Sequence, residues 1–376
     1  MTPRERLNTA LDHREPDRVP IDLGGIVTGI TKVAHERVRR YLGIEGGENI
    51  IDMIQQLVEP EEELLRRFGV DTRYVFLTGS RDHTVEDFEL PEYTDEWGVK
   101  RRRAVLNTGG AYYDIVESPF TTSTLEELKS REWPDPYVEG RFKDLGVEAK
   151  RLRDETDYAV IVNAIGSVFE FTWYTRGFEQ FLIDLALEPA VAEFLMDRML
   201  EFQSGLFDQI LEETGEYVDV VMVGDDISNQ LGPTIDPELY RKIVKPRQKK
   251  LYDLIKSKTD AKLFYHSCGS TRDFIVDLAD IGVDIINPVQ VAAARMDTAA
   301  LKKEFGSYVS FWGGIDTQWA LPFGKPEDVK EEVKRRIDEL APGGGYVLNS
   351  VHNIQSDVPP ENIVAMFETA LEYGKY

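Results

Sequence analysis

Short apolar runs rich in β-branched residues recur along the chain, and segments with helical spacing separate them. The runs cover residues 71–77, 158–162, 218–223, 261–265, 284–286, 308–312 and 346–348. The helical patterns cover residues 237–256, 271–281, 299–304, 326–340 and 360–373. Strand, helix and strand in series predict parallel strands that are joined by crossover helices.

Most of these runs are apolar throughout instead of alternating, which is typical of strands covered on both faces. No dinucleotide-binding fingerprint follows an early strand. We therefore predict an α/β protein with a (β/α)8 TIM-barrel fold over an open doubly wound sheet. Residues 1–70 do not follow the alternation and hold one strand-like piece, 18–22, with two helical ones. We predict one barrel domain over residues 1–376, with 1–70 as an N-terminal extension packed on the barrel.

Composition indicates which kinds of partner and which cellular compartment are expected for the protein. The formal net charge of −24 disfavours binding to nucleic acid or to an anionic membrane surface. No apolar stretch approaches the roughly 20 residues that a membrane span needs, and no signal peptide is recognisable. A single cysteine excludes an internal disulfide and fits a reducing compartment. We expect a cytoplasmic protein with neither a nucleic-acid nor a membrane partner.

Polar or Gly-rich segments follow six of the predicted strands. The active site of such a barrel is built from the loops at the carboxyl ends of the strands, so these segments are expected to meet. The candidate catalytic residues are Asp225, Asp226 and Asp316, although one member of the Asp225–Asp226 pair is expected to cap the following helix. The candidate substrate-binding residues are Asn287, Gln290, Gln318 and Asn349.

His266 and Cys268 end one of the runs and are two residues apart. Alternate residues of a strand share a face, so the imidazole and the thiol are expected to point into one site. With His352 after another strand, they offer zinc three ligands and leave a fourth position open, as in a catalytic site. Zinc in such a site can polarise an oxygen or hold a thiolate, and the sequence leaves both open. The remaining histidines, His13, His35 and His83, lack ligand-like spacing.

The order of motifs resembles the uroporphyrinogen decarboxylase superfamily over nearly the whole chain. The motifs are TPRER at 2–6, PDRVP at 16–20, GDD at 224–226, PELY at 237–240, HSCG at 266–269, GGID at 313–316 and PPEN at 359–362. The resemblance implies a (β/α)8 barrel. It also implies one of two chemistries, decarboxylation of uroporphyrinogen or zinc-dependent methyl transfer in corrinoid pathways.

The details of the resemblance favour the methyltransferase branch, which includes the methylcobalamin:coenzyme M methyltransferases. Thr78 stands where decarboxylases carry an Asp for the pyrrole nitrogens, and residues 22–25 replace their early Arg-rich pattern. We also expect no arginine near the barrel mouth. The methyltransferases carry His-x-Cys and a second cysteine as zinc ligands. Here His266 and Cys268 match the pair, and His352 replaces the second cysteine.

We hypothesise a zinc-dependent methyltransferase that moves a methyl group between a small molecule and a corrinoid cofactor. No cobalamin-binding D-x-H-x-x-G motif is present, so a methylcorrinoid of the cobalamin type is expected on a partner corrinoid protein. Five residues would orient the substrate or tune the ligands without binding the metal themselves, namely Asp225, Asp226, Gln290, Asp316 and Gln318. The direction of transfer, the oligomeric state and the substrate stay open; coenzyme M, tetrahydrofolate and an aryl or alkyl ether or amine are the candidates.

Two alternatives remain. One is a metal-free decarboxylase or lyase that acts on a tetrapyrrole or other polycarboxylate, with Asp71 or Asp225 as its polar anchor. The other is a non-catalytic protein that binds a tetrapyrrole or a corrinoid. An aromatic and cationic segment also has two interpretations. Its side chains either line the site or pack a helix against the barrel. Its members are Phe169, Trp173, Tyr174 and Arg176.

Overall fold

A computed structural model of the protein describes residues 1–47, 49–77, 89–138 and 140–376. Thr78 and His83, which are named above, lie outside these ranges. Among the described residues, every helix is too short or too polar to cross a membrane.

The strands of the described residues are β1 (Ile30–Thr31), β2 (Ile50–Asp52), β3 (Leu57–Val58), β4 (Thr72–Phe76), β5 (Glu92–Thr94), β6 (Lys100–Val105), β7 (Ala111–Glu117), β8 (Ala159–Asn163), β9 (Val220–Gly224), β10 (Lys262–His266), β11 (Ile285–Asn287), β12 (Ser310–Trp312) and β13 (Tyr346–Val347). The helices are α1 (Pro3–Leu11), α2 (Lys32–Leu42), α3 (Glu62–Arg67), α4 (Leu125–Lys129), α5 (Leu145–Glu155), α6 (Glu170–Arg176), α7 (Phe178–Leu187), α8 (Pro189–Thr214), α9 (Pro237–Leu239), α10 (Lys245–Lys258), α11 (Ile275–Asp280), α12 (Thr298–Phe305), α13 (Ala320–Phe323), α14 (Pro326–Leu340) and α15 (Pro360–Tyr373). A π-helix, Tyr240–Val244, joins α9 to α10, and a 3₁₀ helix, Thr271–Phe274, precedes α11.

Seven parallel strands form the central sheet, in the order β13, β12, β11, β10, β9, β8 and β4. All seven apolar runs of the sequence are strands of this sheet, and helices cross between consecutive strands. The predicted α/β TIM-barrel fold is therefore confirmed. The assignment of residues 1–376 to one domain stays a prediction.

The wall of the barrel closes through the N-terminal segment. Ile21 pairs in parallel with Leu348 beyond β13, and on the other side the Asp71 amide donates to the Ile21 carbonyl over 2.8 Å. The strand-like piece predicted at 18–22 thus lies between the two edge strands and is not a mere covering of the barrel. Edge strands carry unpaired N–H and C=O groups, so an extended segment between them satisfies both edges.

Successive residues of each strand divide between two apolar layers, as a period of two requires. Met222 and Phe264 belong to a cluster inside the barrel, where the Phe264 ring meets the Trp312 ring edge to face at 5.3 Å. Val221 and Leu263, their chain neighbours, pack in the larger cluster between sheet and helices. Because the interior is filled by side chains, the space for a ligand lies at the strand ends.

Two small antiparallel sheets were not predicted from the sequence. One has the order β1-β3-β2, and the other, β5-β6-β7, is inserted between β4 and β8 of the barrel. The central strand of this insertion, β6, reads KRRRAV, and Arg101 is its one buried residue. It therefore lacks the continuous apolar run that marks the barrel strands.

Candidate metal centre and active-site cavity

A cavity of about 810 Å³ opens at the carboxyl ends of the barrel strands. Barrel residues at its wall include Phe76 of β4, Asn163 of β8 and His266 of β10. The inserted sheet contributes Arg101 and Tyr112. This volume lies in the range of small-molecule sites, so the cavity can enclose a substrate.

His266, Cys268 and His352 meet at the cavity wall. One ligand atom from each residue lies within 4.8 Å of the other two. The Cys268 Sγ is 3.5 Å from His266 Nε2, and the two imidazole rings are 5.4 Å apart between centroids. Two imidazole nitrogens and a sulfur form a donor set that zinc prefers, so the residues present fit this metal. Zinc itself stays a prediction.

Asn287 fixes the orientation of the His266 ring. Its Nδ2 donates to the Trp312 carbonyl over 3.1 Å, which turns Oδ1 toward the imidazole. His266 Nδ1 is 2.6 Å from that oxygen and therefore carries the proton. The lone pair of Nε2 then faces Cys268. Asn287 was predicted to bind substrate, but the structure puts it behind the histidine.

Burial sets the protonation of the three candidate ligands. It lowers the pKa of His266 to about 4 and, together with the charge of His266, lowers the pKa of His352 to about 3. The pKa of the Cys268 thiol is raised well above its usual value by burial and by the Asp226 and Glu170 carboxylates. Without a metal, both rings and the thiol are neutral near pH 7. Metal binding at this place requires the thiol proton to leave.

Two carboxyl groups lie beside Cys268. Asp226 Oδ1 accepts the Cys268 amide over 2.7 Å, and the Asp226 amide donates to Glu170 Oε2 over 3.3 Å. The Tyr174 hydroxyl donates to the other Glu170 oxygen. Burial raises the pKa of Asp226 to about 6, and burial with the Asp226 charge raises the pKa of Glu170 well above its usual value. This pair can hold a proton near the candidate ligands at neutral pH.

Asp225 points away from the cavity and is fully buried. Its oxygens accept from the Ser167 hydroxyl over 2.7 Å and from the Phe169 and Glu170 amides over 2.9 and 2.6 Å. Gln248 Nε2 adds a bond of 3.0 Å. One of the two aspartates was expected to cap the following helix. Asp225 instead caps α6, which belongs to the preceding strand–helix unit, and it does not contribute to the cavity wall.

Four other predicted residues also lie outside the cavity wall. Asn349 donates to the Asp22 carbonyl over 2.6 Å and Gln290 accepts the Gly269 amide over 2.5 Å, so both hold backbone. Asp316 accepts the Gln318 amide over 2.8 Å at the start of α13, and the Gln318 side chain is exposed. Position at a strand end did not reveal the direction in which each side chain points.

Several residues of the cavity wall escaped the sequence analysis. Glu170 gave no signal because it begins a helix. Arg101 and Arg141 line the cavity, so the expectation of a mouth without arginines is wrong. Of the aromatic and cationic segment, Tyr174 lies at the wall, whereas Arg176 is buried against Asp184 with a contact of 2.6 Å.

Comparisons with known proteins agree with this architecture. The family model for uroporphyrinogen decarboxylase (URO-D) matches residues 112–373. The uroporphyrinogen decarboxylase of Prochlorococcus marinus is 26% identical over 69% of this chain and 73% of its own length. That of Psychromonas ingrahamii is 25% identical over 64% and 67%. A methyltransferase from Methanosarcina mazei shares the fold, with a TM-score of 0.67, 16% identity and 99% of each chain covered. Since the family model matches more than half of the chain, the protein belongs to the uroporphyrinogen decarboxylase family.

Proposed function

We propose that this protein is a cytoplasmic, zinc-dependent methyltransferase that moves a methyl group between a small molecule and a corrinoid on a partner protein. The observation that carries the proposal is the group formed by His266, Cys268 and His352, whose ligand atoms lie within 4.8 Å of one another at a cavity wall. Decarboxylation needs no such set of soft ligands. Methyl transfer to or from a thiol or another heteroatom does use such ligands, because they hold a metal that activates the heteroatom.

His266, Cys268 and His352 would hold the zinc and leave one position for a substrate atom. Bound zinc would supply a Lewis acid that lowers the pKa of a thiol or polarises a methyl-bearing heteroatom. Asn287 keeps His266 Nε2 directed at the site through its 2.6 Å bond to Nδ1. The ligand set carries one thiolate at most, so it is less negatively charged than a site with two cysteines.

Glu170 and Asp226 would manage the proton of the reaction. A heteroatom that loses its methyl group must take up a proton. A thiol that accepts a methyl group must release its proton. The pKa values of both carboxyl groups are raised by burial, so the pair can give or take a proton near pH 7. Tyr174, which donates to Glu170, fixes the orientation of that carboxyl group.

The direct test is methyl exchange with free corrinoid. Zinc-loaded protein is incubated with methylcobalamin and a set of thiols, and in reverse with cob(I)alamin and methyl ethers or methylamines. The spectrum of the corrinoid reports gain or loss of its methyl group. We expect exchange with at least one class of compound. A tight corrinoid complex that never exchanges methyl would favour the non-catalytic alternative.

A decarboxylase remains the second candidate, because the relatives carry that name and two arginines line the cavity. The carboxylates suggested as its anchor are engaged elsewhere. Asp71 contacts Arg6 at 2.6 Å and Arg18 at 2.8 Å, and Asp225 caps α6. Incubation with uroporphyrinogen separates the candidates, since release of carbon dioxide without methyl exchange would replace the methyltransferase proposal.

Replacement of Asn287 by alanine is expected to weaken zinc binding by about 10- to 100-fold, the usual cost of losing a group that orients a ligand. The His266 ring loses the acceptor of its Nδ1 proton and becomes free to rotate. Competition with a chromophoric chelator measures the affinity. If Asn287 contacts substrate instead, the variant will bind zinc normally and show a changed KM.

A further inference from the structure

Arg101 is a nearly buried cation at the cavity wall. It lies on β6 of the inserted sheet, outside the residues that the family model matches. Its exposed fraction is 5%, whereas its neighbour Arg102 is exposed and pairs with Glu92 at 2.6 Å. Alternation along the strand therefore turns one arginine into the cavity and the next toward solvent.

The guanidinium of Arg101 has no hydrogen-bond partner at Nε among the described residues. The closest carboxylate oxygen, Asp95 Oδ2, is 3.8 Å from Nε, beyond hydrogen-bond distance. The other Asp95 oxygen accepts the Trp97 and Val99 amides, each over 3.0 Å. Asp52 also lines the cavity, but its Oδ1 accepts the Gln55 amide over 2.6 Å. Acidic side chains thus lie near the guanidinium without accepting a hydrogen bond from its Nε.

Two other buried arginines bond a carboxylate directly, although Arg39, Arg103 and Arg198 share an unpaired Nε with Arg101 among the described residues. Arg141, on the same cavity wall, contacts Glu96 at 2.6 Å, and Arg176 contacts Asp184 at 2.6 Å. A buried donor without an acceptor costs about 1–3 kcal/mol, and more when it is charged. A ligand that supplies an acceptor to Arg101 would therefore satisfy a buried donor that is unpaired without it.

The position of Arg101 relates it to the candidate metal group. Its guanidinium carbon lies 5.1 Å from the centroid of the Tyr174 ring. The Tyr174 hydroxyl bonds Glu170, Glu170 accepts the Asp226 amide, and Asp226 accepts the Cys268 amide. One continuous wall thus runs from the guanidinium to the thiol. All five residues line the same cavity.

We propose that Arg101 binds an oxyanion of the methyl donor or acceptor, while another atom of that molecule lies at the His266, Cys268 and His352 group. This inference rests on the proposed function, which it extends to a substrate class. The planar guanidinium matches a carboxylate, sulfonate or phosphate group through two parallel hydrogen bonds. The Tyr174 ring, between the two ends, offers contact area for the apolar body of the molecule.

Calorimetric titration tests the proposal with four probes, namely benzoate, ethanesulfonate, inorganic phosphate and, as the opposite charge, tetramethylammonium. We expect at least one oxyanion to bind to the wild type and to R102Q equally well. R101Q should bind it about ten- to hundredfold more weakly, as expected for a lost charged hydrogen-bond pair. R101K, which keeps the charge and loses the planar fork, should lie between them. The preferred probe identifies the kind of oxyanion.

Equal oxyanion affinity of R101Q and the wild type overturns the proposal, as does tighter binding of tetramethylammonium than of every oxyanion. Circular dichroism verifies the fold of each variant, and R101K serves if R101Q does not fold. Zinc is counted in the same samples. Zinc without oxyanion binding rejects only the role of Arg101, whereas oxyanion binding without zinc rejects only the metal-dependent methyltransferase.

Discussion

Replacement of Cys268 by alanine is expected to remove zinc from the protein and methyl transfer with it. Cys268 is the only cysteine of the chain and supplies the only sulfur of the candidate ligand set. Loss of a residue that hydrogen-bonds a metal ligand typically weakens metal binding by about 10- to 100-fold. Loss of the ligand itself should weaken metal binding further. Metal analysis of protein purified without added zinc, combined with the corrinoid assay, measures both effects.

His352→Ala should produce the same two losses, because His352 is the candidate ligand supplied by the loop after β13. The control is His13→Asn, which removes a histidine away from the cavity wall. His13 has a φ of 54°, a conformation that asparagine tolerates, so this variant should fold and keep its zinc. Equal and low zinc in the wild type and in C268A would contradict the metal site. Loss of zinc in all three variants would point to general unfolding.

The fold was predictable because its signal is carried by backbone periodicity. Continuous apolar runs such as 218–223 and 261–265 predicted parallel strands, and the helices between them fixed the order. Segment 18–22 was recognised as extended, but its place between Asp71 and Leu348 depends on pairing over long sequence separations. No local pattern reports such pairing.

The candidate site was predictable only where a short spacing fixes a direction. The spacing of His266 and Cys268 predicted a shared site, and both lie at the cavity wall, although Cys268 follows the end of β10. Asn287 and Asn349 also end strands, yet their side chains bond His266 and the Asp22 carbonyl. Arg101 faces the cavity by the alternation of an inserted strand whose register is set by its own small sheet.

Asp225→Ala is expected to destabilise the fold by on the order of 3–5 kcal/mol, because several buried donors would lose a charged acceptor at once. The Phe169 and Glu170 amides, the Ser167 hydroxyl and the Gln248 amide all donate to this carboxylate. Burial raises the pKa of Asp225 despite these bonds, so the ionised group gains little over water. In the folded variant the donors stay buried and cannot bond water instead. The free-energy cost of leaving them unpaired therefore remains.

Asp316→Ala provides the matched comparison, since Asp316 also caps a helix with its carboxylate. Its bonds to the Gln318 and Trp319 amides are at the protein surface, where water can replace the lost acceptor. We expect a loss of about 0.5–2 kcal/mol, the usual cost of removing an exposed cap. Urea unfolding of both variants measures the difference. Similar losses would mean that α6 does not depend on its bonds to Asp225.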